Sequence, residues 1–208
     1  MTGPDGVASP RGDWRDFSEP AIPALLQSAL EQFVTHGYHG TSVRTLAAGV
    51  GMSVAGLYHH YPSKQATLVA IIESAMADLY TRTLGALAEA GDSVDERLTL
   101  HIQCLVLFHA YRADLAFVAA SEIRSLEPAA RERVIGQRDR QQGVLDGIIE
   151  DGVRGGRFRT AYPHDASRAI VTMCTGVAQW FRLGGPLAPE ELAERYVTMA
   201  KALLDPAI

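Results

Sequence analysis

The chain has 208 residues, 47% of them apolar and 21% charged, which is enough to build a real core in one mid-sized domain or in a small domain joined to a larger one. No run approaches the roughly 20 apolar residues of a membrane helix, and the first residues lack the basic-then-apolar pattern of a signal peptide, so the chain reads as cytoplasmic and away from membranes. The formal net charge of −5 argues against a surface that is basic throughout, so charge has to be read segment by segment.

Residues 1–17 are rich in Gly, Pro, Asp and Arg, without apolar periodicity, and read as a disordered arm. Trp14 and Phe17 are unusual there and are expected to pack back on the first helix. That helix spans about Pro20 to His36, with Leu26, Ala29, Leu30 and Phe33 on one stripe, and Gly37 ends it. Thr41 is expected to cap a short helix through Gly49, and Ser53 a second one through about His60, because their hydroxyls accept orphan N–H groups. Pro62 stops that helix and Ser63 caps a long one carrying Leu68, Ile72, Ala75 and Leu79.

Beyond Gly91 the pattern stays helical. Ser93 opens a helix with Leu98, Ile102, Leu105 and His109 on one side, and another covers about Asp114 to Ser125. Pro128 opens a long helix ending at Gly155-Gly156. Asp165 to Leu183 and Pro189 onward supply the last two. No stretch alternates with period two, so the expected class is all-α, with about nine helices. The division expected is the arm (1–17), a three-helix helix-turn-helix unit (18–66) and a larger helical bundle (67–208).

The segment Leu46 to Tyr58 carries the most specific signal. Two helices that cross closely need a small residue at the crossing, and Ala47 supplies it. The turn needs a residue that tolerates positive φ, and Gly51 supplies it. Leu57 faces back from the second helix onto Val43, Leu46 and Val50. This small–Gly–aliphatic spacing, set between two cap residues, is that of a helix-turn-helix.

Phe33, Gly37-Tyr38, Thr41-Ser42-Val43, Leu46-Ala47, Val50-Gly51-Met52-Ser53, Leu57-Tyr58-His59-His60-Tyr61 and Pro62-Ser63-Lys64 resemble the DNA-binding domain of the TetR family of repressors, densely over residues 20–70. The later helices fit that family's second domain in number and length. The resemblance implies homodimers, a divergent ligand-binding domain, and release of operator DNA when a small molecule binds. By position, Ser53, Val54, Ala55, Gly56 and Tyr58 would face the major groove, with Gly56 letting the backbone come close. Tyr58 and His59 would meet phosphates, as would Thr41, Ser42 and Arg44 at the other helix's start and Lys64 at the start of the long helix. Tyr58 as a core aromatic is the competing reading, and Leu57 and Tyr61 are expected to be core.

Between Pro20 and Ala66 the basic residues are Arg44 and Lys64, against Glu31, so DNA binding should depend only shallowly on salt. Arg11 and Arg15 of the arm either reach a minor groove or belong to an uninvolved tail.

Bundle interiors can enclose ligand cavities, and His101, Cys104, Phe108, His109, Phe117, Met173, Val177, Trp180 and Phe181 are the candidate lining, with ordinary core as the alternative for each. Cys104 and Cys174 read as reduced core thiols. His101, Cys104 and His109 make a metal site conceivable, but no cofactor or metal is expected. Gly176 to Arg182, with Gly184-Gly185-Pro186-Leu187 and Pro189-Glu190-Glu191, is similar to the TetR subset that controls fatty-acid or steroid breakdown, which implies an acyl-CoA or another large apolar effector. Arg138, Arg140 or Arg182 would meet its phosphates. The last two helices are expected to pair with their twins in a two-fold dimer on a palindromic operator.

Enzyme signatures fail: Gly51 to Gly56 is one residue too long for a nucleophile elbow, Val54 stands where a dinucleotide loop has its third glycine, and Leu57 where a P-loop has lysine. The expected activity is therefore that of a ligand-responsive transcription regulator, not an enzyme. The alternative is a helical binding module that no longer contacts DNA.

Overall fold

A computed structural model describes residues 13–205. They form nine α-helices: α1 (Ala24–Gly40), α2 (Val43–Gly49), α3 (Val54–His60), α4 (Lys64–Ala90), α5 (Val94–Tyr111), α6 (Ala113–Ser121), α7 (Pro128–Arg154), α8 (Pro163–Trp180) and α9 (Pro189–Leu204), with a 3-10 turn over Glu122–Ser125. No strand occurs among the described residues, as an all-α reading requires. Gly37, at φ +68°, breaks α1 where the sequence expects its end, and Pro20 and Pro23 lie just ahead of the helix. No single helix is long and apolar enough to cross a membrane.

Two apolar cores share the long helix α4. The first joins Leu26, Leu30 and Phe33 of α1 to Leu46, Leu57, Leu68, Ile71 and Ile72, and also recruits Leu115 and Val118 of α6 and Val134 of α7. The expected boundary at residue 66 thus falls inside a continuous helix, and the head's core runs on through Ala75. The second core surrounds α5, which packs against α4, α7, α8 and α9. Its residues from Ile102 through Ala110 are buried except Gln103, as befits a helix that is apolar all round. Leu145 and Ile148 of α7, Ile170 and Val177 of α8, and Leu192 and Ala200 of α9 close around it.

Residues 13–17, expected as part of a disordered arm, lie against the bundle. Trp14 is buried and its Nε1 donates to Glu89 Oε2 at 2.7 Å, while Arg15 forks both oxygens of Glu89 at 2.6 and 2.8 Å. The Phe17 ring stacks on Tyr111 at 4.8 Å and carries the Arg82 guanidinium 3.9 Å above it. The aromatic pair therefore docks on α4 and α5, not on the first helix. Arg15 is spent on a carboxylate at the far end of α4 from α3, which removes it as a minor-groove arm; Arg11 lies outside the described residues.

Candidate nucleic-acid interface and interior cavity

The turn between α2 and α3 is closed by backbone geometry. Gly51 sits at φ +67°, its N–H bonds Ala48 O at 3.1 Å, and the Met52 N–H bonds Ala47 O at 2.9 Å. This double closure is the left-handed helix stop that favours glycine. Ser53 Oγ then accepts from the Gly56 N–H at 3.1 Å to start α3, and Ser63 Oγ accepts from the Ala66 N–H at 3.0 Å to start α4. Ala47 and Leu57 are buried at the crossing, and Tyr61 is half-buried.

What α3 leaves outside is Ser53, Ala55, Tyr58, His59 and His60, with Val54 and Gly56 partly covered. Tyr58 is 44% exposed, so it is not a core aromatic. A Cβ added at Gly56 would meet only Ser53 Oγ at 3.4 Å and Met52 Cβ at 3.8 Å. Glycine inside a helix costs about 0.5–1 kcal/mol against alanine, and nothing inside the protein requires it at 56. The room it leaves faces outward.

Two of the expected phosphate contacts are corrected. Thr41 is buried; its hydroxyl donates to Gly37 O at 2.8 Å and Gln32 O at 3.2 Å, tying down the break in α1. The cap of α2 is Ser42 instead, whose Oγ accepts from the Thr45 N–H at 3.1 Å. Lys64 turns inward: its Nζ donates to Tyr38 O at 2.7 Å and Thr41 O at 2.8 Å, 4.1 Å above the Tyr38 ring. The acceptors are carbonyls left free where α1 ends. Ser42 and Arg44 are exposed beside α3, and Arg44 has no carboxylate partner among the described residues. Thr45, overlooked in the sequence, shares this face, with its Oγ1 2.8 Å from Ser42 Oγ.

Inside the bundle a cavity of about 420 Å³ is walled by Ala75, Met76 and Leu79 of α4, by His101, Leu105, Phe108 and His109 of α5, by Ala116 and Ala119 of α6, and by Gln141 and Gln142 of α7. The exposed Asp139 and Arg168 also line it and mark its mouth, beside the half-buried Arg138, which donates to Ala119 O. Of the nine residues expected to line a pocket, His101, Phe108 and His109 do.

The others are placed elsewhere, because α5 and α8 turn different stripes to different neighbours. Cys104 and Val177 are fully buried core, and Met173 packs on that core. Phe117 and Phe181 line a separate groove of about 760 Å³ between the start of α1, α6 and the end of α8. Trp180, 54% exposed, stands on the outer surface. Of the three arginines considered for phosphates, Arg138 alone lines the cavity; Arg140 lies over the Tyr80 ring and Arg182 donates to Phe181 O.

Burial keeps the cavity's two histidines neutral. Burial pushes His101 down to about 4, and neither of its ring nitrogens has a hydrogen-bond partner among the described residues. Burial also pushes His109 down to about 4, and its Nδ1 lies 2.7 Å from Leu105 O, which makes Nδ1 the donor and Nε2 a free acceptor. Gln141 Nε2 donates to Thr83 Oγ1 at 2.8 Å, while its Oε1 is unpaired. Burial raises the thiols of Cys104 and Cys174 to about 12, so they stay protonated. Gln141 had a detectable signal: it lies on the α7 stripe of Val134, Leu145 and Ile148, a polar residue at a core position.

Residues 25–71 match the family model described as "Bacterial regulatory proteins, tetR family", and residues 91–204 match "Tetracyclin repressor-like, C-terminal domain". The chain is similar to the HTH-type transcriptional repressor KstR2 of Mycobacterium tuberculosis, 24% identical over 177 residues that cover 84% of this chain and 88% of that one. It is similar in structure to the TetR family transcriptional regulator PfmR from Thermus thermophilus, with a TM-score of 0.80 and 31% identity over 88% of this chain and 100% of that one. AibR, solved in complex with isovaleryl coenzyme A and operator DNA, is similar at a TM-score of 0.75 and 26% identity, over 88% of this chain and 98% of AibR.

Proposed function

The chain belongs to the TetR family of bacterial regulators, and from that premise we propose that it is a repressor that grips a palindromic operator as a homodimer and lets go when an acyl-CoA thioester, an apolar acyl chain on a phosphate-bearing carrier, fills the interior cavity. The observation that carries the reading is α3 itself. It is capped at Ser53, anchored by Leu57, and turns Ala55, Gly56 and Tyr58 outward where a major groove would lie. Ser42, Arg44, Thr45 and His59 surround it as the phosphate contacts. The Trp180, Met199 and Leu203 side of α8 and α9 is the proposed dimer seam, since large apolar side chains left exposed mark an interaction surface.

The effector part of the reading rests on an apolar cavity whose rim carries Arg138 and Arg168, cations suited to phosphates, and on the isovaleryl coenzyme A held by AibR. The test is a mobility shift on the DNA upstream of the protein's own gene, followed by titration with acyl-CoAs of increasing length. Specific binding lost in Tyr58→Ala and reversed by a thioester is the expected outcome. A second reading, a helical module that no longer binds DNA, is favoured by the scarcity of charge: with Lys64 turned inward, Arg44 is the one free lysine or arginine among residues 20–66. No shift with any upstream fragment would select it.

A further inference from the structure

Residues 13–19 are neither helix nor strand, yet two arginines fasten them to the bundle by their backbone. Arg82 of α4 donates to Trp14 O at 2.7 Å and to Asp16 O at 2.8 Å. Arg112, at the corner between α5 and α6, donates to Glu19 O. Both guanidiniums flank the Asp78 carboxylate, with Arg82 Nε at 2.8 Å and Arg112 Nε at 3.7 Å, and both side chains are largely covered. The Tyr111 ring that stacks on Phe17 is itself tethered, its hydroxyl donating to Glu190 Oε1 of α9 at 2.7 Å. Just past Glu19, Pro20 and Pro23 stiffen the chain and Ile22 is buried in the head's core, so the anchored end leads straight into α1.

These anchors are of two kinds. Glu89 and Arg82 lie on α4, the helix whose front half is part of the head's core, so they travel with the head. Tyr111 and Arg112 lie at the end of α5, the helix at the centre of the bundle's core, and do not. A tilt of the head on the bundle therefore has to stretch the Arg112–Glu19 bond and part the Phe17–Tyr111 stack. A hydrogen bond from a cation is among the stronger kinds. We infer that residues 13–19 are a strap that sets the pose of the α1–α3 head on the bundle, with Arg112 as its positioning residue. Without the strap the head keeps its own core but gains freedom to tilt, and that freedom has to be given up again when a duplex is gripped. The inference rests on the repressor reading for what the pose serves, but not for the strap itself.

Nitroxides on Glu31→Cys in α1 and Glu96→Cys in α5, both exposed positions, report the pose by double electron–electron resonance; the native Cys104 and Cys174 are buried and stay unlabelled. Dilution with unlabelled protein keeps the measured pair within one chain. The wild type should give one narrow distance. Arg112→Met and Phe17→Ala should each broaden it, with helix content unchanged by circular dichroism, and Arg112→Lys, which keeps a cation beside Asp78, should restore part of the sharpness. Should one variant fail to fold, the other carries the comparison. On operator DNA at fixed salt, Arg112→Met and Phe17→Ala should bind about tenfold more weakly. Distances as narrow in both variants as in the wild type overturn the strap. Broadened distances with operator affinity unchanged overturn Arg112 as a positioning residue. If the wild type shifts no upstream DNA, the repressor reading fails, while the distance measurement still decides the strap.

Discussion

Acid should weaken this protein through two buried side chains, His101 and His109, more than its composition suggests, and substitution separates the share of His101. His101 is held near 4 by burial, against an ordinary value of 6.5. Its folded-state value is depressed, so the unfolded chain takes up the proton first as pH falls. Its contribution to stability is whole above pH 6.5 and is lost as pH falls through 6.5 towards 4. The gap corresponds to a loss on the order of 3 kcal/mol. No solvent screening reduces it, since the ring is fully buried. His101→Leu removes the titrating group and nothing the fold uses, because neither nitrogen is bonded. Urea unfolding at pH 7.5, 6.0, 5.0 and 4.5, at one fixed protein concentration, should show variant and wild type diverging as pH falls, the variant ahead by about 2–3 kcal/mol at the acid end. Parallel curves would refute the account of an uncompensated buried imidazole.

Arg44→Ala should reduce the slope of log affinity against log salt by about one, as expected for a lost phosphate contact, whereas Lys64→Met should leave the slope unchanged and lower the melting temperature; anisotropy titrations from 50 to 300 mM salt read the first and calorimetry the second. Gly152→Ala should destabilise by roughly 2–4 kcal/mol in chemical denaturation, because an added Cβ would come within 2.0 Å of the Phe158 ring, and Phe158→Leu should restore part of the loss. Trp180→Glu combined with Leu203→Glu should convert a dimer to monomer in sedimentation at micromolar concentration, with helix content intact; a persistent dimer would move the seam elsewhere.

Local chemistry made the head legible. A hydroxyl before an apolar stripe marks Ser53, Ser63 and Ser93 as helix starts, and a residue that must take positive φ marks Gly51; each of these is settled by neighbours within a few positions. Thr41 and Ser42 show where such reasoning stops: both are good caps, and the choice falls to Ser42 because the broken end of α1 claims the Thr41 hydroxyl. Lys64 looked free for the same reason, since its carbonyl partners lie 23 and 26 positions away. The cavity was half legible. His101, Phe108 and His109 share a stripe of α5, but Met76 and Gln142 reach it only through the way α4 and α7 cross that helix. Trp14 and Phe17 were noticed as misplaced, yet their partners on α4 and α5 are set by tertiary packing alone.

The inward ammonium of Lys64 has a mechanical meaning. It bolts the front end of a single 27-residue rod to the block that carries α3, and fifteen residues further on the same rod forms the cavity wall at Leu79. At 1.5 Å per residue that arm is about 22 Å long, so a tilt of about 5° pivoting at Leu79 would swing the bolted block by about 2 Å. Two such blocks on one duplex would change their separation by up to twice that, more than the length of a hydrogen bond. On the function proposed above, a molecule that merely leans on one wall of a small chamber would have the leverage to spoil a grip on both halves of a DNA site.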